Sequence, residues 1–235
     1  MKFICHTAVV VLLVSLASVA VRADDKDKQE ERLRNAGQVM DEILKMPDSI
    51  PQSVLDKTKC LVVVPSVLKA AFIVGGSYGR GAMVCRTHHY TGPWGAPTMM
   101  ALEGGSFGLQ LGGQATDFVF LIMNDRGAHS LLHSKVKIGG DISAAAGPVG
   151  REAEADTDAY MRAEVLTYSR ARGLFAGLSL EGSTLRPDDG ANDALYGSHM
   201  QAAAIVFGPG APATPVAAKR LVLLLDKATP HLKTA

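Results

Sequence analysis

Two pentapeptides in this chain have the G-x-S-x-G spacing of a serine nucleophile: Gly75-Gly76-Ser77-Tyr78-Gly79 and Gly104-Gly105-Ser106-Phe107-Gly108. In hydrolases that spacing works because a strand enters a tight turn that opens a helix, which exposes the serine oxygen and supplies N–H donors for an oxyanion. Here the residues that follow, Arg80 to Arg86 and Leu109 onward, both read as strands, so Ser77 and Ser106 lack the helix N-terminus such a site needs. Glycine at hairpin turns and close backbone approaches accounts for both motifs. The same glycines make no phosphate loop, because G-x-x-x-x-G-K-[ST] is absent. No catalytic residue and no enzymatic activity are expected.

Metal chemistry fares no better. His129 and His133 are four residues apart and share a helix face, but no H-E-x-x-H or close cysteine pair supplies further zinc ligands. Asp188, Asp189, Asn192 and Asp193 have the composition of a calcium loop without its twelve-residue spacing or closing glutamate, and read as a turn with an acidic surface. Glu154, Asp156 and Asp158 read as a solvated edge. No metal and no cofactor are expected.

The cysteines and arginines are more informative. Cys60 and Cys85 sit at the ends of apolar, strand-like runs. They form either one bridge or two buried thiols, since spacing does not fix their distance. Lys57, Lys59 and Lys69 bracket one strand, Arg80 and Arg86 another, and Arg170 and Arg172 occupy a hairpin loop. If these ends share one side of a sheet they form a cationic rim for phosphate headgroups, with Arg80, Arg86, Arg170 and Arg172 as the contacts. Otherwise they are scattered solubilising charge.

The elements that must position these residues follow from composition and periodicity. The 235 residues carry 24 Lys+Arg against 23 Asp+Glu, are 47% hydrophobic, and have 24 glycines. This is a globular composition, with more glycine than a helical bundle carries and no basic excess for binding nucleic acid. Lys2, the apolar run Ala8 to Val21 and the small residues of Val21-Arg22-Ala23 read as a secretory signal cleaved after Ala23. Its loss removes Lys2 and Arg22 and takes the formal charge from +1 to −1. A secreted or periplasmic protein is expected, and two remaining cysteines leave most of the stability to the core.

Asp24 to Glu31 read as a polar leader. Leu33, Ala36, Met40, Ile43 and Leu44 then form a helical stripe that Pro47 ends, and Ser49-Ile50-Pro51 opens a short second helix. Cys60 to Val64, closed by Pro65, Ala71 to Val74, Gly81 to Cys85, Thr98 to Leu102 and Thr116 to Met123 read as strands. Ser106 to Leu111 and Lys135 to Ala146 alternate like half-buried strands, and Asp125 to Ser134 reads as a short helix. Glu164 to Tyr168 and Leu174 to Leu180 flank a hairpin loop. A proline-rich linker from residue 208 leads to a last helix opened by Thr214-Pro215. The expected fold is α+β and β-rich: a glycine-rich, mainly antiparallel sheet, barrel-like or strongly curved, flanked by N- and C-terminal helices.

Taken in order over roughly residues 30 to 207, several segments resemble the SYLF family. They are Ser49-Ile50-Pro51, Cys60 to Gly76, Tyr78 to Gly81, Gly92-Pro93-Trp94-Gly95-Ala96-Pro97, Ser106 to Asp117, Gly147 to Gly150, Tyr168 to Gly177, Leu180 to Gly182 and Tyr196-Gly197. The resemblance implies a non-enzymatic lipid-binding domain at residues 32–207, in some members binding phosphoinositides, in a family that also includes actin-binding proteins. Phospholipid or a membrane surface is the expected partner. The family's eukaryotic adaptor domain is not in this sequence, and an exported chain does not meet actin in the usual way. In the first helix Lys28, Arg32, Arg34 and Lys45 are balanced by Glu30, Glu31, Asp41 and Glu42, which weakens electrostatic docking through that helix. The competing classes are a structural envelope or protein-interaction module and, further off, a hydrolase using Ser77 or Ser106.

Overall fold

The computed structural model describes residues 24–71, 74–107, 115–150, 162–171, 174–177, 180 and 182–230. The leader at 1–23, Glu154, Asp156, Asp158 and Arg172 lie outside the described residues.

The described strands are β1 (Cys60–Ala71), β2 (Val74–Cys85), β3 (Thr98–Phe107), β4 (Thr116–Ile122), β5 (Val136–Lys137), β6 (Ala144–Ala146), β7 (Val165–Ala171), β8 (Leu174–Gly177) and β9 (Thr184–Pro187). They form one strongly curled sheet in the order β5-β9-β3-β2-β1-β4-β7-β6, with β8 also pairing β7. Every pairing is antiparallel except β6 with β7.

The centre of the sheet is apolar on both faces, which is why β1 opens with an unbroken run of apolar residues rather than an alternation. Cys60, Val62 and Val64 face one core with Phe118 and Phe120 of β4, covered by α3 (Asp125–His133) and α5 (Ala202–Phe207). Leu61 and Val63 face the other core with Val119, Leu121 and Leu166. Its cover is α1 (24–44), α2 (Gln52–Leu55) and α6 (Lys219–Ala228). The stripe Leu33, Ala36, Met40 and Ile43 is buried against this layer. α4 (Asp189–Tyr196) packs with Leu33, Ala82 and Met99 beside it.

Several expectations are corrected. Residues 24–31 are turns of α1 rather than a separate leader. Their i,i+4 pairs, such as Lys28 with Asp24 and Arg34 with Glu30, support helix where apolar periodicity is lacking. Pro65 does not end its strand, because β1 runs on to Ala71. The register shifts by one residue against both neighbours, between Val63 and Leu68 on the β2 side and between Val64 and Val67 on the β4 side. Pro65 and Ser66 therefore lie in a β-bulge, the one place a central strand tolerates proline. Ser66 takes φ 51° there. The bulge presses against β2, where a Cβ on Gly81 would stand 1.9 Å from the Val63 carbonyl oxygen and one on Gly79 2.6 Å from Val67 Cγ2. The last glycine of the first G-x-S-x-G motif is thus required by packing. The C-terminal helix belongs to the folded unit: Leu221 and Leu225 are buried in the α1 layer, and Arg220 reaches Asp41 at 2.7 Å.

Candidate anion-binding groove

The structure places three of the four expected headgroup arginines, Arg80, Arg86 and Arg170, on one face but not in one cluster. Arg80 in β2 and Arg86 just after it share parity with Val84, and in β7 Arg170 shares parity with Leu166, so all three point to the α1–α6 side. They serve different ends there.

Arg86 is buried, its guanidinium 4.7 Å above the centre of the Trp94 ring. Its Nε donates to the Thr58 carbonyl at 3.1 Å and its Nη1 to the Gly92 carbonyl at 3.4 Å. Burial lowers its pKa, which Asp226 and Asp56 partly offset. Trp94 in turn ties down the C-terminal segment: its Nε1 donates to Thr229 Oγ1 and its backbone N–H to Asp226 Oδ1, both at 3.0 Å. This is a structural node, closed to a headgroup.

Arg170 is gripped from two sides. Its Nε and Nη2 donate to Asp117 Oδ2 at 2.9 and 2.7 Å, and its Nη1 bonds Glu42 of α1. Burial alone would lower its pKa, but those bonds outweigh it and raise the value.

Arg80 is different. Its side chain is 37% exposed, and its Nε donates to Tyr78 Oη at 2.6 Å. Asp188 Oδ2 stands 3.1 Å from the same nitrogen, close enough for ionic attraction but without an aligned hydrogen bond, since the N–H points at the tyrosine. Arg80 borders a groove of ≈ 330 Å³. The Pro65–Ser66 bulge and Tyr78 and Gly79 of β2 line one wall, and Lys28, Glu31, Arg32 and Asn35 of α1 the other. Burial and the nearby Arg80 charge both lower the Arg32 pKa. Arg32 bonds Gln29 through Nη1, and among the described residues no carboxylate lies within 4 Å of its guanidinium. The Lys28 charge is taken up by Asp24 and Asp25. Two neighbouring guanidinium groups with N–H donors left over, beside a phenol whose oxygen already accepts from Arg80, make a fork for a tetrahedral oxyanion. Arg32 and Tyr78 were missed in the sequence because they look like an ordinary helix charge and a strand aromatic. The only hint was Tyr78 two residues before Arg80, on the same strand face.

The other candidates are used by the fold. Ser77 lies inside β2 opposite Gly104 and Lys69, its Oγ 3.5 Å from the Gly104 carbonyl. Ser106 lies in β3 opposite Gly75. The first motif sits wholly within β2, and Ser106 lies in β3, with Gly108 outside the described residues. His129 and His133 stack with ring centres 4.0 Å apart, and among the described residues no third metal ligand joins them. Asp188 caps α4 through Ala191 N–H, Asn192 accepts from Met99 N–H at 2.7 Å, and Asp193 pairs with His199. Cys60 and Cys85 are direct partners across β1 and β2, with their sulfurs at bonding distance, 2.07 Å.

The described residues thus form a curled sheet clasped by terminal helices, with Arg32 and Arg80 beside one of its surface grooves. Comparison with known proteins places it. Residues 103–228 match the family described as Ysc84, Las17-binding protein actin regulator. The chain is 36% identical over 180 residues to the Saccharomyces cerevisiae protein YSC84, covering 75% of this chain and 37% of that one. It is 35% identical over 185 residues to the Homo sapiens SH3 domain-containing YSC84-like protein 1, covering 78% of this chain and 53% of that one. The S. cerevisiae LAS seventeen-binding protein 3 is 38% identical over 162 residues, which is 68% of this chain and 35% of that one. The chain belongs to the Ysc84, or SYLF, family, and the match spans about half or less of each of these relatives.

Proposed function

We propose that this domain is a non-enzymatic module that binds anionic phospholipid surfaces, with the Arg32–Arg80 groove receiving a headgroup phosphate. The carrying observation is Arg32: a partly desolvated guanidinium, beside a second one, with no carboxylate at ion-pair distance among the described residues. Lipid binding is also what the family resemblance implies. Of the four arginines expected to meet headgroups, Arg80 keeps that role, and Arg86 and Arg170 are committed to the fold. Apolar burial supplies most of the affinity at about 25 cal/mol per Å², and each groove cation adds ~1 kcal/mol and sets headgroup preference. The proposed setting is outside the cytosol, after cleavage at Ala23. N-terminal sequencing of exported protein beginning at Asp24 supports that setting, and an intact Met1 removes it.

The test is co-sedimentation with phosphatidylcholine vesicles with and without phosphatidylserine, at low and high salt. Arg32→Gln with Arg80→Gln should lower the preference for the anionic vesicles about thirtyfold. Failure to pellet with any lipid refutes the reading. The family description favours a second reading, a protein partner in actin regulation. Co-pelleting with actin filaments in the absence of lipid would favour that one.

A further inference from the structure

The groove at the Pro65–Ser66 bulge holds an unpaired anion as well as its two guanidinium groups. Most acids of α1 have cations: Asp24 and Asp25 pair with Lys28, Glu30 with Arg34, Asp41 with Lys45 and Arg220, and Glu42 with Arg170. Asp27 and Glu31 have none within 4 Å among the described residues, and of these two only Glu31 lines the groove. Asn35 follows Glu31 by four residues, so the two are neighbours on one face of the helix. Ser66 lines the other wall, exposed, with its backbone N–H given to Asp117. Neither the Asn35 amide nor the Ser66 hydroxyl bonds another side chain or carbonyl among the described residues. A carboxylate, an amide oxygen and a hydroxyl around one groove are acceptors for the three N–H donors of a primary ammonium.

We propose that the groove recognises an aminophospholipid headgroup, with the phosphate on Arg32 and Arg80 and the primary ammonium on Glu31. This deepens the lipid-binding reading and rests on it. In phosphoethanolamine and phosphoserine headgroups one ethylene link separates the phosphate ester oxygen from the ammonium, so a single molecule presents both charges to neighbouring residues of one groove. A choline headgroup has no N–H to donate, and quaternary ammonium groups are held by cages of aromatic faces. The groove offers one aromatic ring, Tyr78, whose face already meets the Arg80 guanidinium 5.8 Å from its centre. A glycerol headgroup brings the phosphate but leaves Glu31 without a cation, so the carboxylate repels it. Asp188, 3.1 Å from Arg80 Nε, adds a second negative charge beside the same guanidinium. Two carboxylates near two guanidinium groups therefore oppose a headgroup with several phosphates and suit one that carries its own cation.

The experiment pellets the full chain with phosphatidylcholine vesicles that carry equal fractions of either phosphatidylserine or phosphatidylglycerol, which give the surface the same net charge. The wild-type chain should reach half-binding at about tenfold less phosphatidylserine than phosphatidylglycerol. Glu31→Gln changes an exposed residue with no ion pair to lose among the described residues, so the melting temperature should stay the same. It should weaken binding to phosphatidylserine and strengthen binding to phosphatidylglycerol, until the two differ by less than about twofold. At zero net charge, adding phosphatidylethanolamine to phosphatidylcholine should increase pelleting of the wild type and not of Glu31→Gln. Equal binding of the wild type to the two anionic lipids overturns the ammonium contact and leaves headgroup binding standing. So does a Glu31→Gln chain that gains equally on both, because Glu31 then acts only as a repelling charge. No pelleting with any vesicle overturns both readings.

Discussion

Asp117 of β4 and Arg170 of β7 face each other across the ladder, and Asp117 uses its second oxygen to accept the backbone N–H of Ser66 at 2.8 Å. One carboxylate thus joins the bulge, two strands and, through Arg170, Glu42 of α1. Asp117→Ala should leave a largely buried guanidinium and a turn N–H short of a partner, costing about 2 kcal/mol. The midpoint of urea unfolding measures this. Arg170→Gln should destabilise similarly while leaving vesicle binding of the folded protein unchanged, which separates it from Arg80.

Arg86 should be intolerant of a conservative change. Lysine cannot reproduce the planar fork that bonds two carbonyls and stacks on Trp94. Arg86→Lys is expected to cost about 2–3 kcal/mol. It should also loosen the Trp94 environment, read as a red shift of the native fluorescence.

The Cys60–Cys85 pair closes a loop with a sequence separation of 25. In the chain-entropy account such a link contributes about 3–4 kcal/mol through the unfolded state. Reduction should lower the unfolding midpoint accordingly. Non-reducing peptide mapping that recovers both thiols free would overturn the pairing.

Acid should weaken the fold through specific carboxylates. Hydrogen bonds from Arg186 and Lys135 hold the Glu103 pKa below its ordinary value, and bonds from Gln38 and Arg170 do the same for Glu42. A depressed folded-state pKa gives stabilisation that is complete above the ordinary value, ~4.3, and lost as pH falls through the folded-state value. Urea midpoints should therefore be flat from pH 7 to 5 and drop below pH ~4.5. Glu103→Gln should make that drop shallower.

The sequence was legible where local physics decides. The stripe Leu33 to Ile43, the strands at Thr98 to Leu102 and Thr116 to Ile122 and the helix capped by Asn124 form as their patterns direct, and β7 pairs with β8 as expected, except that Ser169, Arg170 and Ala171, read as loop, belong to β7. It was illegible where a distant partner decides. β9 is four residues of mixed polarity that become a strand only beside β3, and α4 looks acidic because Asn192 and Asp188 point inward to bond Met99 and cap the helix. The cationic rim failed for the same reason: which arginine stays free depends on where Asp117, Glu42 and Thr58 fall in space. Arg32 joined the site only because α1 lies across the bulge.

The bulge also solves an alignment problem that β1 creates for itself. A strand with apolar residues on both sides gains little from one alignment over its neighbour, since sliding by one residue swaps one apolar row for another. Hydrophobic pattern alone would leave β1 free to settle wrongly against β2. The Pro65–Ser66 kink fits only where β2 offers the hollows at Gly79 and Gly81, and Asp117 receives Ser66 only in that same alignment. The kink is a key cut for one lock, so a central strand with a nearly featureless sequence has a single place to dock.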